Sequence, residues 1–235
     1  MERMKVRITL MEEALGTAPN NEEIYSQYIA AKAPTMKAMQ EELSALDDPD
    51  RMDEKGLTVF GRSSDGEAPI FWDYQIRGFF KDACSMLARS AGKDAATGKK
   101  RVTNRSSALK SYKKAIDGNI FVTPRQIRIK TAGEMGVCQR PLRAETMQGP
   151  RTALAASETV PAGSTMEFTV YAPDAAMMDA VREWFDYGFL RGLGQWRNSG
   201  KGKFVWAELD AAGVAIPGTG NMGLSEDEAI DRIAL

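Results

Sequence analysis

The stretch 165-TMEFTVYAPDAAMMDAVREWFDYGFLRGLGQWRNSGKGKFVWAEL-209 decides the fold. Its first eight residues alternate as a strand should. From 174 to 190 the apolar residues fall at helical spacing, with Asp174 placed to cap the helix start and Trp184, Phe185 and Phe189 on its core side. Residues 203-KFVWAEL-209 return to strand character. Helix and second strand are joined by a turn that carries four glycines and four cations between 191 and 203. Glycine admits positive φ and close backbone approach, and clustered Arg and Lys suit an anionic partner.

The same strand–helix–strand rhythm occurs upstream. Residues 4-MKVRITLM-11 place Val6, Ile8 and Leu10 on one face of a strand. In 74-YQIRGFFKDACSMLARS-90, Ile76, Phe79, Phe80, Cys84 and Leu87 take helical spacing, and 118-GNIFVTPRQIRIK-130 alternates Ile127 and Ile129 with Arg128 and Lys130. Together the units predict an α+β fold: a ferredoxin-like (RRM-like) antiparallel sheet with helices on one face. Residues 57–72 read as a hairpin about Ser-Asp-Gly, 137–145 with 151–160 as a further antiparallel pair, and about 106–116 as one short helix. Residues 1–209 are expected to form one domain. Within it, 22–55 is an acidic helical insertion and 91–105 a mobile basic loop; 210–235 is a C-terminal tail.

Composition narrows the chemistry. The 235 residues contain no histidine, which removes imidazole acid–base catalysis and His-bearing zinc sites. Cys84 and Cys138 are distant in sequence and read as small core residues rather than as a disulfide or a metal pair, so no metal or other cofactor is called for. No apolar run is long enough to span a membrane and no export signal is evident, so a cytoplasmic setting without membrane contact is expected. The formal charge of −1 hides an asymmetry. Residues 12–54 hold eleven acidic and three basic residues, whereas 77–145 hold sixteen basic and five acidic.

The blocks 191-RGLGQWRNSGKGKF-204, 160-VPAGSTMEFTV-170 and 66-GEAPIFWDYQIRGFFKDA-83, in that spatial logic and in the expected chain order, resemble the RAMP superfamily of CRISPR-associated proteins. The first resembles that family's C-terminal glycine-rich loop, the second its Pro-Ala-Gly turn into a strand, and the third its first-helix start, with Ile76, Arg77 and Gly78 in the matching places. The resemblance is to the backbone subunits that polymerise along guide RNA. It implies single-stranded RNA, further copies of the chain and other effector-complex subunits as partners.

On this reading the RNA-binding candidates are Arg77, Lys81, Lys99, Lys100, Arg101, Arg105, Lys110, Lys113 and Lys114, and, in the loop, Arg191, Gln195, Trp196, Arg197, Asn198, Ser199, Lys201 and Lys203. The cations would gain affinity by counterion release, and Trp196 would stack on a base unless it anchors the core. Target-cleaving members carry an aspartate shortly before the third block; here Asp53 and Glu54 stand only loosely in that place, so no catalytic residue is assigned. Two other classes stay open: an endoribonuclease working without histidine, and a phage-encoded decoy or inhibitor of a host CRISPR complex.

Overall fold

A computed structural model of the chain describes residues 1–19, 37, 57–93, 97–98, 101–146 and 149–233. Apart from residue 37, the expected acidic insertion lies outside them, as do Lys99, Lys100 and part of the expected mobile loop.

Strand β1 (Glu2–Leu10) lies between β11 (Thr165–Ala172) and β12 (Phe204–Leu209) and is antiparallel to both. Beyond β11 come β7 (Phe121–Thr123) and β8 (Gln126–Lys130), both antiparallel to it. Helix α1 (Asp73–Ser90) connects β1 towards β7 and β8, and α4 (Ala175–Arg191) connects β11 to β12. The spatial order β12, β1, β11, β8 is that of two interleaved strand–helix–strand units, so the chain has the expected α+β architecture with a large antiparallel sheet. Two short strands, β6 (Pro69–Trp72) and β5 (Gly61–Arg62), extend this sheet past β8 and form the hairpin foreseen between 57 and 72.

Alternation along β1 sets the layers. Met4, Val6, Ile8 and Leu10 point into one core with Ile76, Phe79, Phe80 and Leu87 of α1 and Val181, Trp184, Phe185 and Phe189 of α4. Rings are in contact throughout: Phe185 lies 5.1 Å from Phe80 and 5.2 Å from Trp206. Each such ring removes a large apolar area from water, worth roughly 1.5–3 kcal/mol for a Phe-sized side chain. Asp174 caps α4 as expected, its Oδ1 accepting from the Met177 amide at 2.8 Å.

A second, five-stranded sheet stands beside the first. Its long hairpin, β9 (Gly136–Thr146) and β10 (Gly149–Val160), is the antiparallel pair expected from sequence. β10 also pairs with β2 (Ala14–Leu15) and, in parallel, with β4 (Leu57–Val59), on which β3 (Ala18–Pro19) lies.

The single short helix expected at 106–116 is instead two. α2 (Arg105–Ala108) and α3 (Tyr112–Asn119) are separated at Ser111, whose φ of 50° lies in the left-handed region and cannot continue a right-handed helix. The break lets α2 dock by its start: Glu183 of α4 accepts from the Arg105 amide at 2.7 Å and the Ser106 amide at 3.0 Å. Past β12, residues 213–222 run along the sheet edge, with the Ile216 amide bonded to Glu208 O at 2.8 Å. Helix α5 (Glu226–Asp231) then places Ala229 and Ile233 in the core. Cys84 is buried in the core as expected, whereas Cys138, on the β9 hairpin, is only half-buried and lies outside it. No described helix is long and apolar enough to cross a membrane, and the described residues hold no cluster of three metal-ligating side chains.

Candidate nucleic-acid interface

The glycine-rich loop leaves α4, makes a short 3-10 turn (Arg197–Ser199) and enters β12. Two glycines let it fold on itself. Gly192 and Gly202 have φ of 75° and 70°, and a Cβ on Gly202 would stand 2.0 Å from Leu193 O. The Leu193 amide donates to Gly202 O at 2.8 Å and the Gly202 amide to Glu13 O at 2.9 Å. Close backbone packing within the protein, and with the 12–16 segment, therefore accounts for these two positions.

Three of the four loop cations are paired within the chain. Asp82 of α1 binds Arg191 Nε and Arg197 Nη1, each at 2.8 Å through the same oxygen. Arg191 also donates to Asn198 Oδ1 at 2.7 Å, and its hydrogen bond to Asp82 strengthens its hold on its proton. Lys201 is 2.5 Å from Glu13 Oε1, and that bond raises its pKa. The physical reason is the segment topology: the start of the acidic region and one acid of α1 are folded directly under the loop. Asn198 and Ser199 remain exposed, and half-exposed Lys203 makes no ion pair among the described residues.

Trp196 does not anchor the core. It is half-exposed and lies outside the core, which excludes the anchor role, yet one face of its ring is already covered. The Arg140 guanidinium of β9 lies over it, 4.8 Å from the ring centre. Arg140 Nη2 also donates to Gln195 Oε1 at 3.3 Å, and Gln195 Nε2 donates to Gly16 O at 2.7 Å. Trp196 itself has φ of 54°, a left-handed conformation that costs a non-glycine residue about 1 kcal/mol and persists only where its surroundings hold it. Buried Arg140 Nε has no hydrogen-bond acceptor among the described residues.

The second basic region lies on the neighbouring flank. Lys81 of α1 binds Asp117 of α3 at 2.6 Å, so consecutive α1 residues, Lys81 and Asp82, anchor the two basic segments that are far apart in sequence. Arg101, Lys110, Lys113 and Lys114 are exposed and make no ion pair among the described residues. Arg105 is exposed and 3.4 Å from Asp179. An open groove of about 420 Å³ lined by Arg89, Lys93, Leu109 and Tyr112 runs beside them. Arg77, one helical turn before Lys81, is half-buried and bound to Asp73 at 3.0 Å within its own helix.

No family model matches the sequence, and no curated protein matches it. Among solved structures, the chain is similar to one in the cryo-EM structure of the Type III-B Cmr-beta bound to cognate target RNA. The TM-score is 0.44 at 11% identity, over 86% of this chain and 58% of that one, so the chain spans little more than half of its neighbour's length.

Three participants escaped the sequence reading: Arg140, Asp82 and Glu13. Arg140 was hidden within a hairpin read only for its strand pattern. Its alternation with exposed Val137 and Pro141 marks it as facing the other way, towards the loop.

Proposed function

We propose that this chain binds single-stranded RNA without strong sequence preference, as a RAMP-like backbone subunit that assembles with copies of itself in a CRISPR-type or CRISPR-derived complex. One observation carries the RNA reading: a half-exposed tryptophan, held in a left-handed backbone conformation outside the core and stacked under an arginine, at a loop that carries four cations and the exposed Asn198 and Ser199. The core has no use for Trp196. A base can stack on an aromatic edge of this kind or displace the guanidinium, and Lys203 and the displaced Arg140 can bond phosphate oxygens. Self-assembly and the RAMP assignment are supported by the three resembling sequence blocks and by the split between acidic and basic regions, which suits head-to-tail contact.

The test is oligouridine binding by fluorescence anisotropy over a range of salt concentrations. Arg140→Ala with Lys203→Ala should weaken binding and flatten the slope of log K against log salt by about 0.7 per lost phosphate contact on a single strand. An unchanged slope in a folded variant that still binds RNA would overturn the loop assignment. Light scattering with and without long RNA tests assembly, and a strict monomer under both conditions would overturn that part.

A further inference from the structure

The face of the large sheet turned away from the helices carries chemistry that the loop site does not use. Here three adjacent strands align Arg3 of β1, Tyr171 of β11 and Phe121 of β7. Arg3 is the register partner of Tyr171, and Tyr171 of Phe121, so all three side chains leave the same side of the sheet. Directly opposed residues stand about 5 Å apart, close enough for the rings and guanidinium to form one row. Phe121 is 46% exposed while its neighbour Val122 is buried, so the phenylalanine serves no core. Arg3 is exposed and Tyr171 half-exposed.

Successive rows continue the pattern with hydroxyls and cations: Lys5, Thr169 and Thr123, then Arg7 with Glu167, then Thr9, Thr165 and Lys130. Glu167 accepts from Arg7 at 2.7 Å and lies 3.5 Å from Lys5. Partial burial pushes its carboxyl up, but these two cations outweigh that and hold it below the ordinary value, so it neutralises part of the row's charge at neutral pH. Arg3 and Lys130 make no ion pair among the described residues. At the Lys130 end an open groove of about 510 Å³ continues the face between Arg128, Lys130, Thr165 and Glu167.

We infer that this open sheet face is a second binding surface for single-stranded nucleic acid, with Tyr171 and Phe121 as a stacking platform and Arg3, Lys5 and Lys130 as phosphate contacts. Aromatic rings interleaved with cations and hydroxyls suit bases and phosphates. A protein partner would call for a continuous apolar centre depleted of lysine, which these rows lack. The platform is remote from the glycine-rich loop. Arg3 lies at the start of β1, whereas Leu10 at its end is the register partner of Phe204, where the loop closes; the seven intervening steps span roughly 23 Å at strand rise. The inference stands independently of the loop reading.

The experiment uses the whole chain and a 4-thiouridine-substituted oligouridine, with crosslinked residues located by mass spectrometry and affinity measured in parallel. Crosslinks are expected at Tyr171 or Phe121. Tyr171→Thr with Phe121→Thr, which keeps residues that favour strands, should lower affinity about tenfold or more. Arg3→Gln with Lys130→Gln changes exposed charges only and guards against a folding defect; it should flatten the salt slope by about 1.4 for two contacts. Crosslinks confined to 195–203, with both variants binding as the wild type does, would overturn this inference and leave the loop reading intact. Crosslinks confined to the sheet face would support it and remove the loop reading. Unchanged RNA affinity together with altered self-association in these variants would assign the face to protein contact and overturn it equally.

Discussion

Replacing Gly202 by alanine should destabilise the protein far more than the same change at Gly200, two residues away in the same loop. Both glycines have left-handed φ, 70° at Gly202 and 83° at Gly200, so both substitutions incur the conformational penalty of about 1 kcal/mol. Surroundings separate them. At Gly200 the nearest atom to a new Cβ is Lys203 Cε, 3.7 Å away at the end of a flexible side chain. At Gly202 the new Cβ would stand 2.0 Å from Leu193 O and 3.0 Å from Leu193 N, which are backbone atoms and cannot rotate away. Relief requires the two loop arms to part. That loosens the Leu193 amide bond to Gly202 O and the Gly202 amide bond to Glu13 O, each worth about 1 kcal/mol. The expected cost is therefore about 3 kcal/mol for Gly202→Ala, a fall in Tm of about 6–12 °C in a chain of this size, against about 2–4 °C for Gly200→Ala. Thermal unfolding followed by circular dichroism measures both. Equal losses at the two positions would refute the claim that backbone packing, rather than φ alone, demands glycine here.

Gly188 lies inside α4, where alanine is ordinarily the better residue by up to about 1 kcal/mol; but a Cβ there would stand 2.0 Å from the Phe204 ring, so Gly188→Ala should lower stability in urea titration by about 1–3 kcal/mol. Asp82→Asn should free Arg191 and Arg197 from their shared carboxylate; tighter oligouridine binding with a steeper salt slope is expected, and weaker binding would argue that Asp82 sets the loop's shape for its ligand. Buried Asp186 has its pKa raised by desolvation, against the opposing pull of the Trp206 indole and Arg232. Its folded state therefore holds the proton more tightly than the unfolded chain does, and this group's contribution to stability falls as pH rises from the ordinary aspartate value through the raised one. Asp186→Asn should remove that component from a stability–pH profile, and an identical profile would show that Asp186 is not its source.

The four principal strands and both long helices were legible because each is amphipathic at one clear period: alternate residues of β1 and of β11, and the Ile76–Leu87 and Trp184–Phe189 faces of the helices. Local pattern alone failed at Ser111, where a left-handed residue breaks what composition reads as continuous helix. It also could not place Asp82 or Glu13. Carboxylates at neighbouring and distant positions look alike in sequence, and only the path of the chain beneath the loop pairs them with Arg191, Arg197 and Lys201. The sequence leaves Trp196 ambiguous between ligand and core, and the residue that covers its ring, Arg140, comes from a hairpin more than fifty positions earlier.

The position of β1 has a consequence for synthesis. It precedes the other described strands in the chain, yet its partners are β11 and β12: Leu10 is opposed to Phe204, and Glu2 to Ala172. A nascent chain on the ribosome therefore carries β1 with its edges unpaired and its apolar face incompletely covered until well over a hundred further residues have emerged. Contacts of such long sequence separation slow folding and prolong the interval in which those edges can meet other chains. A stop codon before residue 204 would leave β1 with one bare edge, so this strand is enclosed only after β12 has been made.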